Sequence, residues 1–365
     1  MVAPAARIEG SAWCGTRAAR KRRPRYRGQP GRKSGKRLRA EGLEWGVAFS
    51  GTYLEAIRQA LGDAMAADDR VCLLGEDIGH YGGAFKATEG LQARFGEDRV
   101  LDTPIAEQAI AGSAIGLALM GQRAVAEFQF MDFALLASDL IVNFAAKAGW
   151  RWGADCPVVF RGPVGAGSGG GPFHSQNPEG HFLVTPGLTV VAPGTVADAY
   201  ALLRAAIDDP GPVLFLEHKV LYRRLKDAWE TAPVAQLGRA ALRKDGRRAL
   251  VVTYGALQHR ALEALDGLDV AVLDLRTLRP WDQEAVAALV RRTHRVMVLT
   301  EASLSFGPAA EVAAWIGEAC FPWLDAPVQR LAGADTPTPA SPVLEAAWMP
   351  DAQAIRRRVE DLLAW

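Results

Sequence analysis

Twice along this chain, short apolar strands alternate with helical periods, and few folds accommodate that pattern. In the first pass, Tyr53–Ala66 spaces Leu54, Ile57, Leu61 and Met65 as a helix does. Val71–Leu74 and Arg99–Leu101 read as strands, Gln108–Met120 as a small-residue helix expected to be buried, and Ala124–Phe128 as a strand. A long helix over Phe133–Trp150, strands Pro157–Phe160 and Leu188–Val191, helix Val196–Ile207 and strand Val213–Leu216 complete this half. Leu221–Leu237 loses the alternation and reads as a linker. The second pass runs through strand Ala249–Gly255, helix Gln258–Leu265, strand Val270–Leu275, helix Gln283–Val290, strand Val296–Thr300 and helix Pro308–Ile316. A short strand Val328–Leu331 and a helix Ala354–Leu363 close it. Near-continuous apolar strands between helices predict parallel sheets covered on both faces. The expected class is α/β with two doubly wound domains, 47–225 and 239–365, joined by a linker at 226–238.

A chain of 365 residues, 49% of them hydrophobic, has material for two cores. The net charge of +1 excludes a nucleic-acid binder by overall composition, but it hides an asymmetry. Residues 1–46 form a basic leader, with Arg20-Lys21-Arg22-Arg23 and Arg32-Lys33 and, up to Ala40, Glu9 as its only acid. Such a run repels itself and offers no apolar face. It reads as an over-extended bacterial translation start, as a mitochondrial transit peptide or as a nucleic-acid tail; the first is preferred, which places the protein in a bacterial cytoplasm, with the mitochondrial matrix as the alternative. The four cysteines, Cys14, Cys72, Cys156 and Cys320, lie far apart and have no metal-type spacing, so they read as reduced thiols. No apolar run is long enough to cross a bilayer.

The chemistry concentrates between Leu101 and His174. The strand ending at Leu101 runs into Asp102-Thr103-Pro104-Ile105-Ala106, and Glu107 opens the small-residue helix. Position alone accounts for Glu107, because carboxylates favour the positive end of a helix. A carboxylate at the mouth of a buried helix, however, has an unusual setting. Ligands of open α/β sheets gather beyond the carboxyl ends of strands, which makes the Gly79–Gly83 loop a candidate wall. The loop Arg161–Gln176 is dense in glycine and carries His174. Its glycines let backbone approach a ligand, but no helix opens there with a Lys as in a P-loop.

The words GEDIGHYGGAFKAT (75–88), DTPIAEQ (102–108), AEFQFMDF (126–133), FHSQNPE (173–179), LEHKVLYR (216–223) and LRTLRPWD (275–282), in this order, resemble the beta subunit of the thiamine-diphosphate-dependent 2-oxo acid dehydrogenases. The resemblance runs from about Gly51 to the C-terminus. It implies a pyrimidine-binding transketolase-like domain followed by a transketolase C-terminal-type domain used mainly for assembly. It implies that Glu107 hydrogen-bonds N1′ of the cofactor's aminopyrimidine, favouring the imino tautomer that removes the thiazolium C2 proton. It implies that Phe133 packs on that ring, that Gln129 lies on the same wall, and that His174 stands near the thiazolium and the incoming lipoyl group. Packing alone would also account for Phe133, and a structural role for His174. A monovalent cation, K⁺, is implied at Val158, Ala206, Ile207, Asp209 and Gly211; taken alone, Asp208-Asp209-Pro210-Gly211 is a plain turn.

In this superfamily Mg²⁺ on the diphosphate is held by a Gly-Asp-Gly motif and an Asn. The chain has no Gly-Asp-Gly. It therefore carries the pyrimidine half of a site, and an alpha subunit is expected to supply the rest. The resemblance implies a heterotetramer of two alpha and two beta chains, with beta–beta contact and a peripheral contact to a lipoyl acyltransferase core. The words around Glu107, Glu127, Ser175 and Trp281 look more like branched-chain than pyruvate enzymes. Phe133 in place of Tyr, Pro172-Phe173 before the His, and Gly180-His181-Phe182-Leu183-Val184 depart from that pattern and put the substrate pocket in question. The function expected is oxidative decarboxylation of a branched-chain 2-oxo acid with reductive acylation of lipoyl groups. Pyruvate or acetoin as substrate is one alternative, and a non-catalytic assembly paralogue another.

Overall fold

Strands that are apolar on both faces form the middle of two mostly parallel sheets. The computed structural model describes residues 48–365. The basic leader and Cys14, with the readings attached to them, lie outside the described residues. In chain order, β1 (Phe49–Thr52), α1 (Tyr53–Ala67), β2 (Val71–Glu76), α2 (Leu91–Phe95), β3 (Val100–Thr103), α3 (Glu107–Leu119), β4 (Arg123–Glu127), α4 (Ala148–Trp152) and β5 (Val158–Val164) come first. Then follow α5 (Glu179–Leu183), β6 (Thr189–Val191), α6 (Val196–Asp208), β7 (Val213–His218), α7 (Leu221–Arg224), β8 (Lys226–Trp229), β9 (Ala241–Lys244), β10 (Ala249–Thr253) and α8 (Leu257–Ala264). The last elements are β11 (Val270–Asp274), β12 (Thr277–Arg279), α9 (Gln283–Thr293), β13 (Val296–Ser303), α10 (Pro308–Ala319), β14 (Gln329–Gly333), α11 (Pro342–Trp348) and α12 (Ala352–Leu363).

One sheet has seven strands in the order β12-β6-β7-β5-β4-β2-β3, and another five, β14-β13-β10-β11-β9. All neighbours are parallel except the edge strands β12 on β6 and β9 on β11. The period of two along a strand sorts side chains between cores. Val158 and Phe160 of β5, with Leu250 and Val252 of β10, share one large apolar cluster that spans both sheets. Val159 faces the opposite cluster under α1 and α6, and Val251 faces a third under α8 and α12. The first turn of α1 is fixed by a reciprocal cap, in which Glu55 N–H donates to Thr52 Oγ1 (3.2 Å) and Thr52 N–H to Glu55 Oε2 (2.6 Å).

Three expectations need correction. The long helix over Phe133–Trp150 is instead a 3₁₀ stretch Met131–Ala137, a π turn Leu140–Ala145 and α4. The buried residues explain the change of winding. Met131, Ala134 and Ala137 recur every three residues, the 3₁₀ period, and Ile141 and Ala145 then every four. The supposed linker contains a strand, β8, which pairs antiparallel with β1 and stacks Trp229 on Phe49 at 4.3 Å. Finally, α3 is buried on one face only. Ile110, Ala111, Ala114, Ile115 and Ala118 are covered, whereas Ala109, Ser113, Gly116 and Met120 at its end are exposed. A helix apolar all round gives no periodic signal for which face meets solvent.

This asymmetry sets a test on the isolated chain. Ile110→Ala is expected to lower unfolding free energy by about 2–5 kcal/mol. Gly116→Ala adds a methyl in open space and is expected to raise it by about 0.5–1 kcal/mol. Denaturant titration of both variants measures the difference, and a loss of stability in Gly116→Ala would contradict the exposed face.

Candidate active site

Six parallel strands of the larger sheet end on the same side, and four of them end on polar residues. Glu76 ends β2, Thr103 ends β3 beside it in register, Glu127 ends β4, and Glu217 and His218 end β7. Arg161 sits within β5 opposite Glu127. Its side chain is 2% exposed and its guanidinium bridges two carboxylates, donating to Glu127 Oε2 through Nη1 and to Glu217 through Nε (2.6 Å) and Nη2 (2.7 Å). Tyr222 Oη donates to Glu217 at 2.7 Å. Burial alone would lower the Arg161 pKa, but the two carboxylates outweigh it and hold the guanidinium firmly protonated. Burial pushes Glu127 upward against the pull of Arg161. Such a triad is costly to desolvate, yet costlier still to break.

Glu107 lies in the first turn of α3, with its side chain buried (8% exposed). Its carboxylate makes no hydrogen bond within the described residues. Two neighbouring atoms, Glu76 Oε1 and Thr103 Oγ1, are fully buried and have no partner among the described residues. The Glu76 pKa is raised, first by burial and then by the nearby charge of Glu107. The Gly79–Gly83 loop closes this corner. Gly79 N–H donates to Asp102 Oδ1 at 2.6 Å, and a Cβ on Gly83, whose φ is +82°, would stand 3.0 Å from Glu127 Oε1. Only glycine meets both conditions there.

Beyond β4 the chain turns through aromatic residues. Phe130 packs edge-on against Phe85 (5.6 Å between centroids), Phe133 (6.1 Å) and His174 (4.7 Å), and Phe133 also meets the His174 ring at 5.5 Å. The structure thus joins Phe133 and His174. Phe133 belongs to the 3₁₀ stretch that packs on α3, the helix that carries Glu107. Gln129 lies on the same passage, half-buried. His174 is exposed.

Behind this surface a second polar chain crosses from one sheet to the other. Tyr254 Oη donates to Glu179 Oε1 at 2.6 Å, and His218 Nε2 meets Glu301 Oε2 at 2.8 Å. Glu179 Oε2 and His218 Nδ1 have no partner, and both residues line a cavity of about 20 Å³, room for one water. Burial pushes Glu179 up to about 7. Burial would also raise Glu301, but His218 and the hydrogen bonds it accepts bring it down to about 2.

The chain matches the transketolase pyrimidine binding domain over residues 50–224 and the transketolase C-terminal domain over 238–355. It is 43% identical over 320 residues to the 2-oxoisovalerate dehydrogenase subunit beta of Bacillus subtilis (strain 168), across 85% of this chain and 98% of that one. The chain belongs to the beta subunits of the 2-oxo acid dehydrogenases. This beta subunit is also 41% identical over 300 residues to the pyruvate dehydrogenase E1 component subunit beta of Porphyra purpurea, covering 80% and 91% of the two chains. A split-gene transketolase solved as an inactive beta4 tetramer shares its fold, with a TM-score of 0.70 at 21% identity over 87% of this chain and 99% of that one. The family is thiamine-diphosphate-dependent, and Glu107, a largely buried carboxylate without a hydrogen bond among the described residues, fits the pyrimidine end of that cofactor.

In this beta subunit two of the five positions expected to hold a monovalent cation, Ile207 and Asp209, already meet a cation of the chain's own. Arg123 Nη1 donates to the carbonyls of Ile207 (2.7 Å) and Asp209 (3.3 Å), and Asp209 Oδ1 accepts from Gly211 N–H at 2.7 Å. Val158 opens β5 and Ala206 lies in the last turn of α6. Sequence reasoning missed Arg161, Glu217, Glu76, Phe85 and Phe130. Arg161 had a readable signal, a charged residue inside an otherwise apolar strand. Glu76 had another, its place at a strand's carboxyl end.

The raised Glu179 pKa has a consequence with a definite sign. Because its folded value of about 7 lies above the ordinary 4.5, its contribution to stability is full below 4.5 and is lost as pH rises through 7. Glu179→Gln is expected to remove roughly 3 kcal/mol of pH dependence across that window. Melting temperatures from pH 5 to 8 should flatten in the variant; an unchanged slope would show that Glu179 is ionised throughout.

Proposed function

We propose that this chain is the beta subunit of the decarboxylating component of a branched-chain 2-oxo acid dehydrogenase. It would bind the pyrimidine half of thiamine diphosphate while an alpha chain holds the diphosphate and its Mg²⁺. The observation that carries this reading is Glu107, a largely buried carboxylate (8% exposed) that makes no hydrogen bond among the described residues. When bound, the cofactor supplies a thiazolium carbon nucleophile for the 2-oxo carbonyl. Glu107 would hydrogen-bond N1′ of the aminopyrimidine and favour the tautomer that can take the thiazolium proton. Phe133 and Gln129 form the wall on which the ring rests. His174, steadied edge-on by Phe130 and Phe133, donates a proton or hydrogen bond as the acyl group passes to lipoamide. The triad around Arg161 fixes Glu127, and with it the start of the aromatic passage.

An alpha partner fits the exposed apolar residues at the two ends of α3. Ile105 is 81% exposed and Met120 84%, at opposite ends of the open face of α3. The assembly proposed has two alpha and two beta chains with beta–beta contact and a lipoyl acyltransferase core at its periphery. We place the functional division of the chain at 226–238, between the pyrimidine-binding and C-terminal-type domains. K⁺ is proposed at Val158, Ala206, Ile207, Asp209 and Gly211, where it would share carbonyls with Arg123. No helix among the described residues is long and apolar enough to cross a membrane, and a bacterial cytoplasmic setting is proposed, with the mitochondrial matrix as the alternative. A pyruvate-class substrate is the second reading, favoured by the 41% identity to a pyruvate dehydrogenase subunit.

The test mixes this chain with its alpha partner, Mg²⁺, thiamine diphosphate and a panel of 2-oxo acids. The highest kcat/KM is expected for branched-chain substrates; a preference for pyruvate would select the second reading. Glu107→Gln is expected to lower kcat by about 10²–10⁴-fold while the assembly elutes unchanged on gel filtration. Full activity in that variant would remove Glu107 from the reaction.

A further inference from the structure

The glycine-rich loop before His174 has the backbone of an anion cradle, and the anion in it is part of the chain. Gly165, Gly167, Gly169 and Gly171 all have positive φ, between 66° and 94°. Every second residue is thus turned into a conformation that points successive amides into one concavity, the arrangement that elsewhere captures phosphate. Here Gly167 N–H donates to Glu345 Oε1 (2.8 Å) and Gly169 N–H to Glu345 Oε2 (3.1 Å). Ala166 N–H, just before them in the chain, donates to Glu301 Oε1 at 2.6 Å. Both carboxylates come from far along the chain, Glu345 from α11 and Glu301 from β13, and both are buried, 4% and 5% exposed. A Cβ on Gly171 would stand 3.1 Å from that of Ala340, so the loop also lies close against the segment leading into α11.

The rest of the loop is tied to the active-site side. Gly165 N–H donates to the Gln176 carbonyl (3.1 Å), and Gln176 N–H to Asp132 Oδ1 (3.0 Å), next to Phe133. Asn177 Nδ2 returns to Glu301 Oε1 at 3.0 Å. Lys219 donates to the Gly165 carbonyl and lies within electrostatic reach of Glu301, Asp132 and Glu345. His174 therefore emerges from a loop anchored at the rear by two acids and at the front by Phe130 and Phe133.

We propose that Glu345, aided by Glu301, is a positioning residue for His174: its carboxylate fills the glycine cradle and sets where the imidazole meets the acyl group. This rests on the role given to His174 under Proposed function. It also gives the C-terminal part of the chain a share in catalysis beyond assembly. The cradle is closed to a free phosphate as long as Glu345 occupies it.

The test uses the alpha–beta holoenzyme carrying Glu345→Ala, Glu345→Gln, His174→Ala or the double change Glu345→Ala/His174→Ala. Glu345→Ala is expected to lower kcat for reductive acylation roughly tenfold to hundredfold through a displaced His174, with KM for the 2-oxo acid little changed. Glu345→Gln, whose amide oxygen still accepts from the loop, is expected to restore most of that loss. In the double variant Glu345→Ala is expected to add nothing to His174→Ala, as coupled residues require. Amide exchange in the 165–174 peptide, read by mass spectrometry, is expected to accelerate by about tenfold or more in Glu345→Ala. Wild-type exchange there would overturn the cradle. Equal slowing of the wild-type and His174→Ala enzymes would overturn action through His174. A wild-type rate for His174→Ala alone would sink the role of His174 and the catalytic half of this proposal, leaving the exchange result to judge the loop. Should Glu345→Ala fail to assemble, Glu345→Asp, which withdraws the charge by one methylene, carries the same comparison.

Discussion

Arg161 is the interaction on which the sheet and the site both depend. Three adjacent parallel strands, β4, β5 and β7, bring two carboxylates and one guanidinium to the same depth, out of reach of water. In an apolar interior a charge of either sign alone would be expelled or neutralised. Together they hold the strand ends in register and let Glu127 stay where the aromatic passage begins. That passage places Phe130 and Phe133 against His174. The acid opening α3 lies close enough to Glu76 to raise its pKa.

The site is therefore acid-rich by construction. Glu76, Glu107 and Glu127 stand near one another, with Arg161 paired to the last. Burial raises Glu76 and Glu127. An acid-rich pocket with unsatisfied oxygens favours a partner that can share a proton, such as a weakly basic ring nitrogen, over one that carries further negative charge. This agrees with the proposal that the chain receives the heterocyclic end of the cofactor while another polypeptide holds the phosphates.

Much of this was legible in the residues. The alternation of strand and helix located the central strands to within a few residues, because buried parallel strands are nearly pure Val, Ile, Leu and Ala. Glu107, Phe133 and His174 were singled out through short words. The structure adds that Phe133 and His174 touch. What was not legible followed from tertiary contacts. The 3₁₀ and π windings after Phe130 answer to the surface of α3, which no local propensity encodes. β8 reads as polar linker because it pairs at an exposed position with β1, where packing of Trp229 on Phe49 does what apolar alternation does elsewhere. What fills the glycine loop was not legible, because the carboxylate in it lies 176 residues beyond Gly169.

One strand carries a consequence for how the molecule holds together. β12, which follows four strands and helices of the second half, adds itself antiparallel to β6 at the border of the larger sheet. Without it, the backbone of β6 would present a row of unmatched amides and carbonyls, a template for any passing chain. The C-terminal half thus acts as a guard rail for its predecessor: severing the polypeptide near residue 230 would not release two tidy modules but would bare a sticky margin on the first.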